Sequence, residues 1–455
     1  MIRDGGFCML RSVRFSFLGL LMASTPWNGF AGEAANGFRG PTGNGVWPGE
    51  AASIPAEASK ALWRHKPEGF GWAAPVSGGG KVFLLAANSA KIPKPANFSG
   101  GVADMRSFLG GAKPPKAPHT WTLTALDTSN GKSLWTTQLF VGAPQIAHHP
   151  SNTYATETPV TLGKRVVCWV GSCGQLVCLD TESGNMLWKK DLGVQARATG
   201  FGTGSSPAAD GERVFVQCDN EKDSFVAAFS LNTGAELWRQ KRQVKTSWSS
   251  PLVWKNSQRT ELVLCGDSLV ASYDPATGKE LWRYTAIRGG FATSPSADQN
   301  LLLACKSDPT NSGQFVAIRA GHNGDLTPTK GAESGPAIAW AKSGGGPGLG
   351  SPVLAKGRLF VANNNNLTCL DASTGQQIWK ERLPGAKSVA ASAWALGDSV
   401  FVLDESGKLF RVANEATFRL LGKSDFGDLH WSTPDLGTGK LLLRGVDELL
   451  CLPLQ

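Results

Sequence analysis

No stretch of this 455-residue sequence reaches the roughly 18 apolar residues that a membrane-spanning helix needs, so a helical span is excluded. Charge is sparse, at 18% of residues, and the Lys and Arg residues are scattered. That removes the basic cluster by which a nucleic-acid binder is recognised. Histidine occurs six times, and the one adjacent pair, His148 and His149, would point to opposite faces of a strand and has no carboxylate at a suggestive spacing. No metal site is expected there. The glycine run GGGPGLGS (Gly344 to Ser351) lacks the Lys and Ser/Thr of a phosphate loop and leads into a strand, which excludes that reading too. What the chain has in quantity is glycine, 55 copies, and tryptophan, 16 copies, against three tyrosines. This composition suits a turn-rich β-protein.

The first 32 residues differ from the rest. Arg3, Arg11 and Arg14 precede the apolar run FSFLGLLMA and then small residues around Ala31 and Gly32, the pattern of a secretory leader. The run is too short to span a bilayer. Cys8 lies before it rather than after it, so lipidation is not expected; either Met1 or Met9 can start the chain. Removal of residues 1–32 leaves 42 basic and 35 acidic residues and lowers the net charge from +9 to +7. We therefore expect residues 1–32 as signal peptide, 33–58 as an N-terminal extension and 59–455 as one large repetitive domain. The mature chain is expected to be a monomer exported to the periplasm or cell envelope.

An eleven-residue unit recurs five times: ALDTSNGKSLW (Ala125 to Trp135), CLDTESGNMLW (Cys178 to Trp188), AFSLNTGAELW (Ala228 to Trp238), SYDPATGKELW (Ser272 to Trp282) and CLDASTGQQIW (Cys369 to Trp379). The first position is small, the seventh is glycine, the tenth is Leu or Ile and the eleventh is tryptophan. Asp at the third position can accept turn N–H groups, and glycine at the seventh can take a positive φ, so the unit is a hairpin. The tryptophan supplies a flat apolar ring with one N–H to satisfy, suited to wedging between sheets. A second repeat, Ser or Thr followed by Pro and an apolar strand, centres on Pro75, Pro159, Pro207, Pro251, Pro295, Pro352, Ala393 and Pro434, with some variation.

Together the two repeats supply four strands every 40 to 60 residues or so, the signature of an all-β, eight-bladed β-propeller. The outer strands carry Trp63, Trp135, Trp188, Trp238, Trp282, Trp340, Trp379 and the degenerate Leu421 as docking residues. The C-terminal ELLCLPLQ reproduces the first part of the hairpin and SKALWRHK (Ser59 to Lys66) the last, so the ring is expected to close in one blade built from both termini. Insertions are expected near 88–119 and 320–339. In RVVCWVGSCGQLVCLD, a turn centred on Cys173 would set Cys168 opposite Cys178, leaving a disulfide open.

The hairpin unit resembles the tryptophan-docking motif of the pyrroloquinoline-quinone (PQQ) propellers, over nearly the whole mature chain. That family includes quinoprotein alcohol and glucose dehydrogenases and the non-catalytic envelope lipoprotein BamB. FRGPTGNG (Phe38 to Gly45) and HHPSNTYATETPV (His148 to Val160) are similar to exported proteins known only as PQQ-like repeat proteins. The dehydrogenases imply a quinone on a tryptophan floor with Ca²⁺ on Asp, Asn or Glu oxygens; the adjacent cysteine pair of alcohol-oxidising members and the Cys-x-x-Cys-His of haem-bearing ones are absent here.

Residues three positions before each Ser-Pro proline should line one mouth of the axis: Trp72, Thr156, Gly204, Trp248, Ala292, Leu349, Ala390 and Trp431. With Tyr154, Arg197, Lys245, Arg288, Lys387 and His430 nearby, these rings and cations are the candidate ligand or partner site. No catalytic residue or metal ligand is assigned. The expected function is a non-enzymatic, BamB-like scaffold for an envelope protein or polysaccharide, with no cofactor. A divergent PQQ- and Ca²⁺-dependent dehydrogenase and a carbohydrate-binding propeller are the alternatives.

Overall fold

The computed structural model describes residues 35–50, 53–90, 93–97, 113–194, 200–307, 313–329 and 334–454. The leader with Cys8, the start site, Arg197 and much of the 88–119 insertion lie outside the described residues. The described chain is all-β apart from one turn of 3-10 helix at Ala58–Lys60, and its eight sheets are the eight blades of a propeller. Blade 2 is typical: Val160–Leu162, Arg165–Val170, Gln175–Asp180 and Met186–Asp191 pair in sequence as an antiparallel meander. The last blade closes the ring as the sequence predicts, with Trp63–His65 from the N-terminal side paired to Leu449–Pro453, which pairs in turn with Lys440–Arg444.

The hairpin grammar has a mechanical explanation. Asp180 Oδ1 accepts the N–H groups of Glu182 and Ser183, and Asp371 and Asp274 do the same in their turns. Hydrogen bonds from Ser183 hold the Asp180 carboxyl below its ordinary pKa. The glycines that follow have φ near +70°, and each lies under a tryptophan of the preceding blade: a Cβ on Gly184 would stand 2.6 Å from the Trp135 ring, and one on Gly234 2.6 Å from Trp188. The indole N–H then reaches a carbonyl of the same turn, as in Trp188 Nε1 to Leu231 O at 2.9 Å. Glycine is required twice, by backbone angle and by contact. The residue before most of these tryptophans, such as Leu187, falls where the register shifts at a bulge, and it stands exposed on the outer wall. Such bulges interrupt an edge that would otherwise be open to pairing.

Blade 5 lacks the Asp and Gly, and its neighbour compensates. Trp282 turns its Nε1 to the buried Glu261 carboxylate at 2.6 Å, and Gly324–Asp325 from the 320–339 insertion adds a short parallel strand against Trp282 and Arg283.

The Ser/Thr-Pro repeat forms a belt around the axis. The N–H of the residue before the proline, or before Ala393 where it replaces proline, donates to the hydroxyl of the equivalent residue one blade on: Ala74 to Thr158, Thr158 to Ser206, Ser206 to Ser250, Ser250 to Ser294, Ser294 to Ser351, Ser351 to Ser392 and Ser392 to Thr433, all at 2.9–3.1 Å. Proline keeps the preceding residue extended and has no N–H of its own to satisfy. At the eighth junction Ala74 has no hydroxyl to offer Thr433. There Arg444 Nη1 and Ser432 Oγ both donate to Ala73 O instead.

The FRGPTGNG segment is a strap across the face opposite the candidate mouth. Asn36 pairs with Thr161 and donates Nδ2 to Asp435 Oδ1 at 3.1 Å, while Val46–Trp47 adds a parallel strand to Trp394–Leu396. Between these anchors the buried Arg39 gives Nη1 to Pro295 O at 2.8 Å, and Nη2 to Asn44 O at 2.7 Å and to Pro352 O. Burial without a carboxylate partner lowers its pKa to about 9. A cavity of about 480 Å³ lies between the strap and the lower ends of the inner strands, with Asn44, Asp210, Trp254 and Lys356 in its wall.

The cysteines behave as small core residues. Cys168 pairs in register with Val177 and Cys178 with Val167, so the two thiols lie on opposite faces of blade 2, in different hydrophobic clusters. A Cys168–Cys178 disulfide is therefore ruled out: the turn centres between Ser172 and Cys173, and the register is one residue off the expected one. All eight cysteines among the described residues are buried thiols outside any disulfide.

Candidate functional site

Each inner strand starts at the face opposite the strap, and the loop leading into it carries the expected mouth residue. Thr156, Gly204, Trp248, Ala292, Leu349, Ala390 and Trp431 are all partly exposed there, while Trp72 is buried. Gly204 brings two of them together, since a Cβ on it would lie 3.7 Å from both Thr156 and Trp248.

The three tryptophans are engaged mainly with the chain itself. Trp72 and Trp431 stack with centroids 6.0 Å apart and planes at 23°. That spacing is an ordinary aromatic contact, so the rings touch each other rather than frame a slot for a third. Trp72 Nε1 donates to Ser151 O at 2.6 Å and its backbone N–H to Thr153 Oγ1. Trp248 Nε1 donates to Gly202 O at 2.9 Å, and its ring meets Phe201 edge-on at 5.8 Å.

The segment His148 to Thr158 connects them. Asn152 is its hub: Nδ2 donates to Phe201 O and Thr203 O, and Oδ1 accepts from the N–H groups of Thr153 and Tyr154 and the hydroxyl of Thr156. His149 stacks on Phe201 at 5.5 Å and takes Ser151 N–H at Nδ1. Trp431, Trp72, Ser151, His149, Phe201 and Trp248 thus form one connected series around the mouth.

Besides Trp72, two more candidates are not surface groups. Tyr154 is buried, with its hydroxyl donating to Ile146 O at 2.8 Å and its ring met edge-on by His148 and His119. Its positive φ of 61° is held by the Asn152 turn, and burial raises its pKa. His430 is also buried, with Nε2 2.8 Å from Gly427 O and Nδ1 3.1 Å from Arg444 O, which leaves no ring nitrogen for a ligand. Arg288, Lys387 and Lys245 are exposed as expected. Asn152, Ser151 and Phe201 went unrecognised in the sequence, where a short polar loop carries no repeat to mark it.

A family model described as outer membrane protein assembly factor BamB matches residues 119–243, 222–327 and 267–437, well over half of the chain. The protein belongs to the BamB family of PQQ-like propellers. No curated protein matches it. Among solved structures, BamB from Moraxella catarrhalis is similar at 12% identity and a TM-score of 0.50, over 75% of this chain and 96% of that one. Quinohemoprotein alcohol dehydrogenase from Comamonas testosteroni is similar at 12% identity and a TM-score of 0.56, over 88% and 78%. At such identity the likeness is one of fold, and it embraces both a BamB and an enzyme.

The enzyme's cofactors can be tested against this member's mouth. A Ca²⁺ ion takes six to eight oxygen ligands, yet among the described residues no three His, Cys, Asp or Glu side chains converge to hold a metal ion. Glu157, next to the mouth position Thr156, is buried and turned toward Gly171 and Thr203. No reaction step is derived through a quinone or Ca²⁺.

Proposed function

We propose that this BamB-family protein is an exported, non-enzymatic scaffold of the cell envelope that engages a protein partner at its mouth. The observation that carries this reading is the state of the mouth: rings bonded to the chain's own carbonyls and a rim with exposed Phe201, Lys245, Arg288 and Lys387. A partly apolar, cationic rim suits an acidic protein surface by long-range attraction and aromatic contact. The family description points the same way, since the BamB it names is an assembly factor of outer membrane proteins. The leader motif supports export.

The test is site-specific photo-crosslinking in cells, with the reactive group at Phe201 or Lys387 on the mouth and at Lys356 on the strap face. A discrete envelope protein captured from the mouth positions, and lost when Arg288 and Lys387 are changed to Glu, is expected. Capture confined to Lys356 would contradict the proposal.

A further inference from the structure

The His148–Thr158 loop holds two mouth tryptophans in place and also carries two of three clustered histidines. The third, His119, comes from blade 1 and meets the Tyr154 ring edge-on at 5.3 Å, while His148 meets it at 4.0 Å. We propose that this histidine cluster is an acid-sensitive latch on the mouth, closed while the imidazoles are neutral and released when they take up protons. The inference deepens the reading of the mouth as the working face and rests on it.

The geometry selects the neutral ring. The N–H of Ser151 reaches His149 Nδ1 at 3.2 Å, and a backbone N–H can only donate, so Nδ1 must carry a lone pair. Ser151 Oγ lies 2.7 Å from the same nitrogen. A proton on Nδ1 sets a donor against Ser151 N–H, and Ser151 is the residue whose carbonyl holds Trp72 Nε1. Displacing it frees Trp72, and with it the stack on Trp431.

The surroundings oppose charge as well. His148 is lowered below its ordinary pKa by burial, despite its hydrogen bond to His149 O, and is lowered further by His119 and His149. Burial likewise lowers His119. Among the described residues the groups facing the cluster from each packed element are few. The loop itself brings Tyr154 and Glu157, the latter turned toward Gly171; blade 2 brings the buried thiol of Cys173. The 200–204 loop brings Phe201 and no charge, and from the insertion Lys94 is paired with Asp447 while Lys113 and Lys116 face solvent. No described carboxylate bears on His119 or His148 to stabilise the imidazolium.

The sign follows from linkage. A histidine whose folded pKa is depressed contributes stability that is complete above about pH 6.5 and is lost as pH falls toward the folded value. The loop should therefore loosen as pH falls below about 6.5.

Hydrogen exchange on the intact mature chain, corrected for the intrinsic pH dependence of exchange, tests this without any partner. Peptides covering 146–158 and 70–74 should exchange about tenfold faster at pH 5 than at pH 7.5, while 353–382 in blade 6 stays unchanged. His149→Asn, whose amide oxygen can accept from Ser151 at any pH, removes the Ser151 conflict and should reduce the difference at 70–74 while leaving the contribution of His148 and His119. Should that variant not fold, His148→Gln, which leaves Ser151 untouched, should shift the transition to lower pH. Equal protection at both pH values in the wild type, or a transition unmoved in a folded variant, would overturn the latch. A latch confirmed here with no partner captured at the mouth would count against the scaffold reading alone.

Discussion

Trp135 packs against the α-carbon of Gly184 in the next blade so closely that a Cβ there would stand 2.6 Å from its ring. The same contact recurs with Gly131 under Trp63, Gly234 under Trp188, Gly278 under Trp238 and Gly375 under Trp340. The blades are therefore fastened at a point where no side chain fits. Gly184→Ala should destabilise the fold by about 2–4 kcal/mol, combining overlap with backbone strain at φ +70°. Gly163→Ala, with φ +57° and open space around it, should cost only about 1 kcal/mol. Urea denaturation of both variants separates the two contributions.

The hydroxyl belt predicts a graded response. Ser250→Ala or Ser294→Ala leaves a buried N–H of the neighbouring blade without its acceptor and should cost about 1–3 kcal/mol each. Thermal denaturation of the single variants is the check, and a cost below about 0.5 kcal/mol would mean that the belt follows the ring rather than helping to close it.

The strap makes a prediction about the N-terminus. Arg39→Ala deprives the carbonyls of Asn44, Pro295 and Pro352 of a buried donor and should cost about 2 kcal/mol or more. Limited proteolysis should then cut within residues 36–47 while the blades stay resistant.

Blade 4 offers a double-mutant cycle. Glu261 accepts from Trp282 Nε1 and Ser272 Oγ, both at 2.6 Å, and from Arg259 Nε at 3.0 Å. Trp282→Phe and Glu261→Leu should each destabilise by about 1–3 kcal/mol or more, and their combination by less than the sum, because both remove the same bond.

The sequence made the architecture legible wherever a residue type recurs for one local reason. The Gly and Trp of the hairpin mark five blades, and the tryptophan alone marks blade 5 and the closing strand, because turn geometry and docking are repeated with little change. The Ser/Thr-Pro repeat was visible but its purpose was not, since each bond of the belt joins residues in different blades. Single-copy features left no pattern at all. Arg39 looks like any exposed arginine beside glycines until the strap is seen to cross the axis. Tyr154 and His430 lie beside residues that do line the mouth, and only their buried hydrogen bonds to Ile146, Gly427 and Arg444 show that they belong to the core. The Cys168 register failed by a single residue, which on a strand is enough to change the face.

The central claim, that the mouth serves a partner rather than a redox cofactor, meets its most direct test in a calorimetric titration of PQQ into the purified mature protein with Ca²⁺ present, followed by a dye-linked alcohol oxidation assay. The rings bonded to the Ser151 and Gly202 carbonyls, with Trp72 and Trp431 stacked on each other, predict no saturable binding at high micromolar quinone. Saturable, Ca²⁺-dependent binding with turnover would contradict the account and make the mouth a catalytic site.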